Sequence, residues 1–259
     1  MSLASWQTAA MALDVVDLRS FYAAPLGRVA RRYIGAIVCE RWDAVAGQSI
    51  LGIGYATPYL DAFLDKAERV IAFMPAEQGV VNWPVEGGVS STALVDPTMM
   101  PLPDACVDRI LVVHALEMSE APRDLLSEVW RILTPGGRML LVAPNRRSVW
   151  ARMEATPFGQ GQPYSRGQLR ALLREAQFSP IHEQLALYGP PFARPSFLRL
   201  APMFEKIGAR LGLPGAGVHV IEATKQVYRL VGARKVARRP VPQMEPGLAP
   251  TPAGRTSDA

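Results

Sequence analysis

The sequence predicts an α/β fold, a doubly wound and mostly parallel sheet with helices on both faces. Two observations carry that prediction. From Ser49 onward, short apolar runs alternate with segments patterned at helical spacing, and strand–helix alternation of this kind builds parallel sheets covered on both sides. The chain has 259 residues, 49% hydrophobic and 20% charged, which suits a globular domain with a large core.

The elements follow in order. Met11 to Phe21 reads as a helix, and so does Leu26 to Cys39, where Val29, Tyr33, Ile34, Ile37 and Val38 recur at helical spacing. These form a helical cap over about residues 1–46. Ser49 to Ile53 is a short buried strand. Thr57 is expected to cap a helix that has Pro58 at its first position and runs to about Ala67. Arg69 to Phe73, Thr92 to Val95 and Val107 to His114 are the next strands. Ala121 to Leu133 is an amphipathic helix, with Leu125, Leu126, Val129, Trp130 and Leu133 on one side. Thr134-Pro135-Gly136-Gly137 stops it, and Arg138 to Ala143 is a fifth strand. Arg166 to Ala176 is a helix capped by Ser165. Strands at Ile181 to Leu187 and Val218 to Ala223 bring the number to seven, with a short helix at Pro202 to Leu211 between them.

The net charge of +5 resides at the end of the chain. Residues 225–259 hold seven basic and two acidic groups, and the rest of the chain balances. We expect a single domain over residues 1–235, with inserted loops at about 144–165 and 189–216, and a disordered Pro-rich tail over 236–259. The basic run suits nucleic acid, acidic lipid or an acidic partner, but a solvated helix end explains it more simply. No apolar run reaches the roughly 18 residues of a membrane span, so membrane contact would be peripheral. Met1 to Ala12 lacks the pattern of a signal peptide, which makes the cytoplasm the expected address. Cys39 and Cys106 share no metal-ligand spacing and read as free, buried thiols. Nothing proposes a metal site from His114, His182 and His219.

Ligands in such sheets bind beyond the carboxyl ends of the strands. At the first strand this is Ile50-Leu51-Gly52-Ile53-Gly54-Tyr55-Ala56-Thr57-Pro58. A triphosphate-binding loop needs a Gly-Lys-Ser/Thr ending, and the first lysine past the turn is Lys66. A dinucleotide fingerprint needs a third glycine where Thr57 stands and an acid where Met74 stands.

The segments Pro101-Leu102-Pro103-Asp104-Ala105-Cys106-Val107-Asp108, His114-Ala115-Leu116-Glu117 and Arg131-Ile132-Leu133-Thr134-Pro135-Gly136-Gly137-Arg138 resemble class I S-adenosylmethionine-dependent methyltransferases, in particular their small-molecule, type 11-like branch. The resemblance covers about residues 49–178. It implies a Rossmann-like seven-stranded sheet, S-adenosylmethionine as cofactor and S-adenosylhomocysteine as product. It places Gly52, Gly54, Tyr55, Met74, Asp96, Pro97 and His114 around the cofactor. Gly54 corresponds to the first loop glycine and Asp96 to the aspartate that accepts from the adenine amino group. The departures are Gly52 where the family has an acid, Ala56 and Pro58 where it has glycines, and Met74 where an acid holds the ribose. Glu77, three residues past Met74, is the expected substitute for that acid at the ribose. Alanine at 56 fits if its φ is negative, and a proline in the first helical turn tightens the loop.

The connection after the fifth strand implies an acceptor lid carrying Trp150, Phe158 and Tyr164, with an ordinary surface loop as the equal alternative. Tyr22 precedes the sheet where the family folds a helix over the ligand; a half-buried core tyrosine is the simpler reading. His114 lines the site and is a weak candidate for a base. On the short helix, Met203, Phe204, Ile207 and Leu211 are expected to pack on their own domain. The functional expectation is methyl transfer to an unidentified small-molecule acceptor. The alternative is an inactive methyltransferase-like subunit working through a protein partner or a second copy of the chain. Nucleic-acid methylation is disfavoured by the neutral body.

Overall fold

The computed structural model describes residues 13–84 and 90–226. Two helices lead, α1 at Val15–Ala23 and α2 at Pro25–Arg41, followed by β1 at Ser49–Gly54 and a single turn of helix, α3, at Thr57–Leu60. Next come β2 at Arg69–Pro75, β3 at Thr92–Val95, β4 at Val107–Val113, α4 at Pro122–Ile132 and β5 at Leu133–Pro144. Last are α5 at Arg166–Glu175, β6 at Phe178–Ala186, α6 at Pro195–Leu211 and β7 at Val218–Lys225. The seven strands lie in the order β3-β2-β1-β4-β5-β7-β6. The pairs from β3 to β5 are parallel, and β7 runs antiparallel to both its neighbours.

Both faces are covered, so the inner strands are apolar on both sides. Leu18, Ile34 and Val38 of the leading helices pack with Ile50, Leu111, Leu140 and Val220 on one face. Leu125, Val129, Leu169 and Leu173 of α4 and α5 pack with Leu51, Val112, Leu141 and Ile221 on the other. The motif arginine, Arg131, explains why the segment before β4 lies where it does. Its guanidinium donates to the carbonyls of Met100 and Leu102 and pairs with Asp104 and Glu128.

Several sequence expectations need correction. Ala56 caps α3, Thr57 and Pro58 occupy its first turn, and the helix gives way to a 3-10 turn at Asp61–Phe63 instead of running to Ala67. β5 begins at Leu133, so the Thr134–Gly137 turn is an irregularity inside the strand, with Gly136 at φ +79°. α6 starts seven residues before Pro202 and runs through it. Its Met203, Ile207 and Leu211 are exposed and are not packed on their own domain. Cys39 is exposed and Cys106 half-buried, not buried thiols. The Pro-rich tail lies outside the described residues.

Candidate active site

β1 ends at Gly54 with φ +79°. A side chain there would collide with the Val113 carbonyl at the end of β4, and the next amide, Tyr55 N–H, donates to that same carbonyl at 2.9 Å. The glycine thus lets the loop cross the end of β4. Gly52 has a different reason: its missing Cβ leaves room for Leu60 and Ala56 of the α3 turn. Ala56 sits at φ −88°, where alanine is unstrained. The loop is sterically sound without its later glycines.

Beyond β1 and β4 lies a buried aromatic and polar cluster. Tyr22, from α1, donates or accepts at Tyr59 Oη (3.0 Å) and at His114 Nε2 (2.8 Å). His114 Nδ1 lies 3.0 Å from Glu117 Oε1. An ionised Glu117 only accepts, so Nδ1 carries the proton, Nε2 accepts from Tyr22, and Tyr59 donates to Tyr22. His114 is fully buried and at φ +54°, and its carbonyl accepts from the Gln78 side-chain amide. The Tyr22 ring stacks on Tyr55 at 5.5 Å between centroids, and Phe158 lies 4.9 Å from the His114 ring. Burial first, and then the neighbouring Tyr59, pushes the Tyr22 hydroxyl well above its ordinary pKa, so it stays a neutral donor.

The sequence-derived residues fall into two groups. Gly54, Tyr55, His114, Tyr22 and Phe158 come together at this cluster, with Trp150 behind Phe158 at 5.6 Å. Met74 is buried near the end of β2, in the same core as Tyr55 and Tyr59. Asp96 and Pro97 stand apart, at the end of β3. Asp96 is exposed, and its Oδ1 accepts from the Thr98 amide and hydroxyl at 2.8 and 2.7 Å. Those bonds hold its carboxyl below the ordinary pKa. Glu77 is exposed. The three aromatics expected on a lid are core side chains: Trp150 donates to the Gly189 carbonyl, Phe158 is 1% exposed, and Tyr164 is buried against the Leu116 carbonyl. Sequence reasoning missed Tyr59, Gln78 and Glu117 as members of the cluster. The His114–Glu117 spacing of three was the available signal for one of them.

The family fold implies S-adenosylmethionine as cofactor, and in the arrangement seen here aromatic side chains of this chain crowd its expected place. Tyr22, Tyr55, Tyr59 and Phe158 fill the space past β1 and β4, and no acid stands at position 74. One buried oxygen in the cluster, Glu117 Oε2, has no partner among the described residues. No group of three or more His, Cys, Asp or Glu among the described residues is placed to hold a metal ion. No described helix is long and apolar enough to cross a membrane.

Comparison with known proteins gives one family match, a methyltransferase domain over residues 51–141. No curated protein matches the chain. Among solved structures, the [4+2]-cyclase SpnF superposes with a TM-score of 0.55 at 21% identity, covering 77% of this chain and 82% of its own. An S-adenosylmethionine-dependent methyltransferase from Archaeoglobus fulgidus gives 0.54 at 16%, covering 74% and 93%. One from Mesorhizobium loti gives 0.52 at 14%, covering 70% and 93%. At these identities the likeness establishes the fold.

Proposed function

We propose that this chain is a class I S-adenosylmethionine-dependent methyltransferase acting on a small-molecule acceptor that bears a hydroxyl group, a reading supported by its fold and by the methyltransferase-domain match over residues 51–141. We further read the arrangement above as a closed state. The observation that carries this reading is the Glu117–His114–Tyr22 chain. A carboxylate fixes one ring nitrogen of a buried histidine, and the other nitrogen accepts from a hydroxyl at 2.8 Å. This geometry lets a histidine take a proton from a hydroxyl. The Tyr22 hydroxyl stands where an acceptor's hydroxyl would stand once α1 has moved away. His114 would then hold the acceptor proton at Nε2, with Glu117 stabilising the imidazolium.

Tyr22 belongs to a nine-residue helix outside the sheet. Its hold on the cluster is two hydroxyl bonds and ring packing, and the helix start is tied by the Val15 amide to the Gln78 carbonyl at 2.7 Å. A preference for the closed form of about 2 kcal/mol would weaken apparent ligand affinity by roughly thirtyfold without abolishing it.

A second reading has its own support. The filled cofactor position and Met74 favour a methyltransferase-like subunit without catalysis that acts through a protein partner. The SpnF likeness is a reminder that one fold hosts different chemistries. The experiment that separates the two readings incubates the protein with methyl-labelled S-adenosylmethionine and the small-molecule fraction of a cell extract. Transfer of label to an organic product, lost in His114→Ala, is expected. A folded protein that transfers no label in any such fraction would leave the subunit reading standing.

A further inference from the structure

At the opposite end of the sheet's carboxyl edge, over β5, β7 and β6, lies a cavity of about 770 Å³ that the cluster does not touch. Three features of its lining point to one kind of ligand. The first is the N-terminus of α5, where Ser165 and Gln168 form a reciprocal capping box. That box satisfies the Gln168 amide, and the amides of Arg166 and Gly167, at the first two helical positions, have no intrahelical carbonyl to donate to. Gly167 lines the cavity and puts no side chain over this end of the helix. Such a terminus favours an anion.

The second feature is charge. Arg147 and Arg166 line the cavity together with one carboxylate, Glu183. Glu183 is already neutralised twice, by Arg166 and by Arg170, each at 2.6 Å. Arg147 forms no ion pair among the described residues, so the lining keeps a net positive charge.

The third feature is independent of the helix. His219 lines the cavity and is only 6% exposed, and its Nε2 has no partner among the described residues. A buried ring nitrogen left without a partner costs about 1–3 kcal/mol. It is normally explained by a group that the protein alone does not supply. Asn145, also in the lining, donates its side-chain amide to the carbonyls of Pro214 and Ala216 at 2.9 and 2.8 Å. Leu185, Tyr188 and Ile221 add an apolar wall.

We propose that this cavity binds a small organic anion with an apolar body and a hydrogen-bond donor, its carboxylate or phosphate held by the first amides of α5, Arg147 and Arg166, with the donor given to His219 Nε2. The site stands whether or not the chain transfers methyl groups.

The test uses the full-length protein and two probes, inorganic phosphate and benzoate, at constant ionic strength and neutral pH. Nitrogen-15 resonances of the Gly167 amide and the His219 ring are followed together. The proposal expects both to shift saturably with one midpoint for at least one probe. Tighter benzoate binding would identify the anion as a carboxylate, and tighter phosphate binding a phosphate. Arg147→Ala, an exposed position, should weaken binding at least roughly fivefold, and Arg123→Ala on α4 should leave it unchanged. Shifts that never saturate, or that spread evenly over exposed arginines, would mean an adventitious ion only and overturn the proposal.

Discussion

Position 54 shows how one residue can be right for a reason the sequence does not reveal. The glycine reads as a place where backbone meets ligand, but its φ of +79° and the Val113 carbonyl beside it already exclude any side chain. Gly54→Ala should therefore destabilise the fold by about 2 kcal/mol or more, measured by urea unfolding, in the absence of any cofactor. A loss below about half a kcal/mol would return the glycine to a purely ligand-facing role. His219 gives a second residue-scale prediction. Burial, and then the Arg166 charge, lower its pKa from 6.5 to about 4. The folded protein thus refuses a proton that the unfolded chain accepts. Stability is complete above about pH 6.5 and falls as the pH drops toward 4. Between neutral pH and pH 5 the wild type should lose about 1–2 kcal/mol more than His219→Gln does, and equal losses in urea titrations would contradict the assignment. Nothing in the sequence around His219 announces this, because its burial depends on α5 and β6 folding over it.

At the scale of elements, local signals were legible where local chemistry decides. Ser165 before a helical pattern, with Gln168 three residues on, becomes a complete capping box, and Ser165→Ala should cost about 1 kcal/mol in thermal or urea unfolding. α6 is the counter-example. An interior proline costs about 3 kcal/mol in a helix, and the sequence reading began the helix at Pro202. The helix nevertheless runs from Pro195 to Leu211. Packing compensates: Ala201 is buried, and Gly208 presses so closely on the Tyr188 ring that a Cβ would not fit. Pro202 itself is exposed. Pro202→Ala should accordingly stabilise the protein by about 1–3 kcal/mol, and a lower melting temperature in the variant would contradict that account. α1 is an element whose role was visible only as a hint. Tyr22 and His114 are 92 residues apart in sequence, and no periodicity links them.

For the whole molecule, the sheet was the most legible feature. All seven strands are present, three of them at or within one residue of the expected bounds, because apolar runs between Gly/Pro punctuation record burial directly. The site was half legible. The turn after β1 and the strand end at His114 could be placed from sequence pattern, whereas the aromatics expected on a lid lie in the core, because whether Tyr22, Phe158 and Trp150 border an open cleft or fill it depends on three-dimensional packing. As proposed above, α1 holds the cofactor position shut. The direct measurement is calorimetric titration of the full-length protein and of Tyr22→Ala with S-adenosylhomocysteine, with circular dichroism confirming that both are folded. The account predicts weak binding by the wild type and at least roughly tenfold tighter binding by the variant, since removing the ring relieves the competition. Equal affinities, or no binding by either folded protein at millimolar ligand, would contradict it.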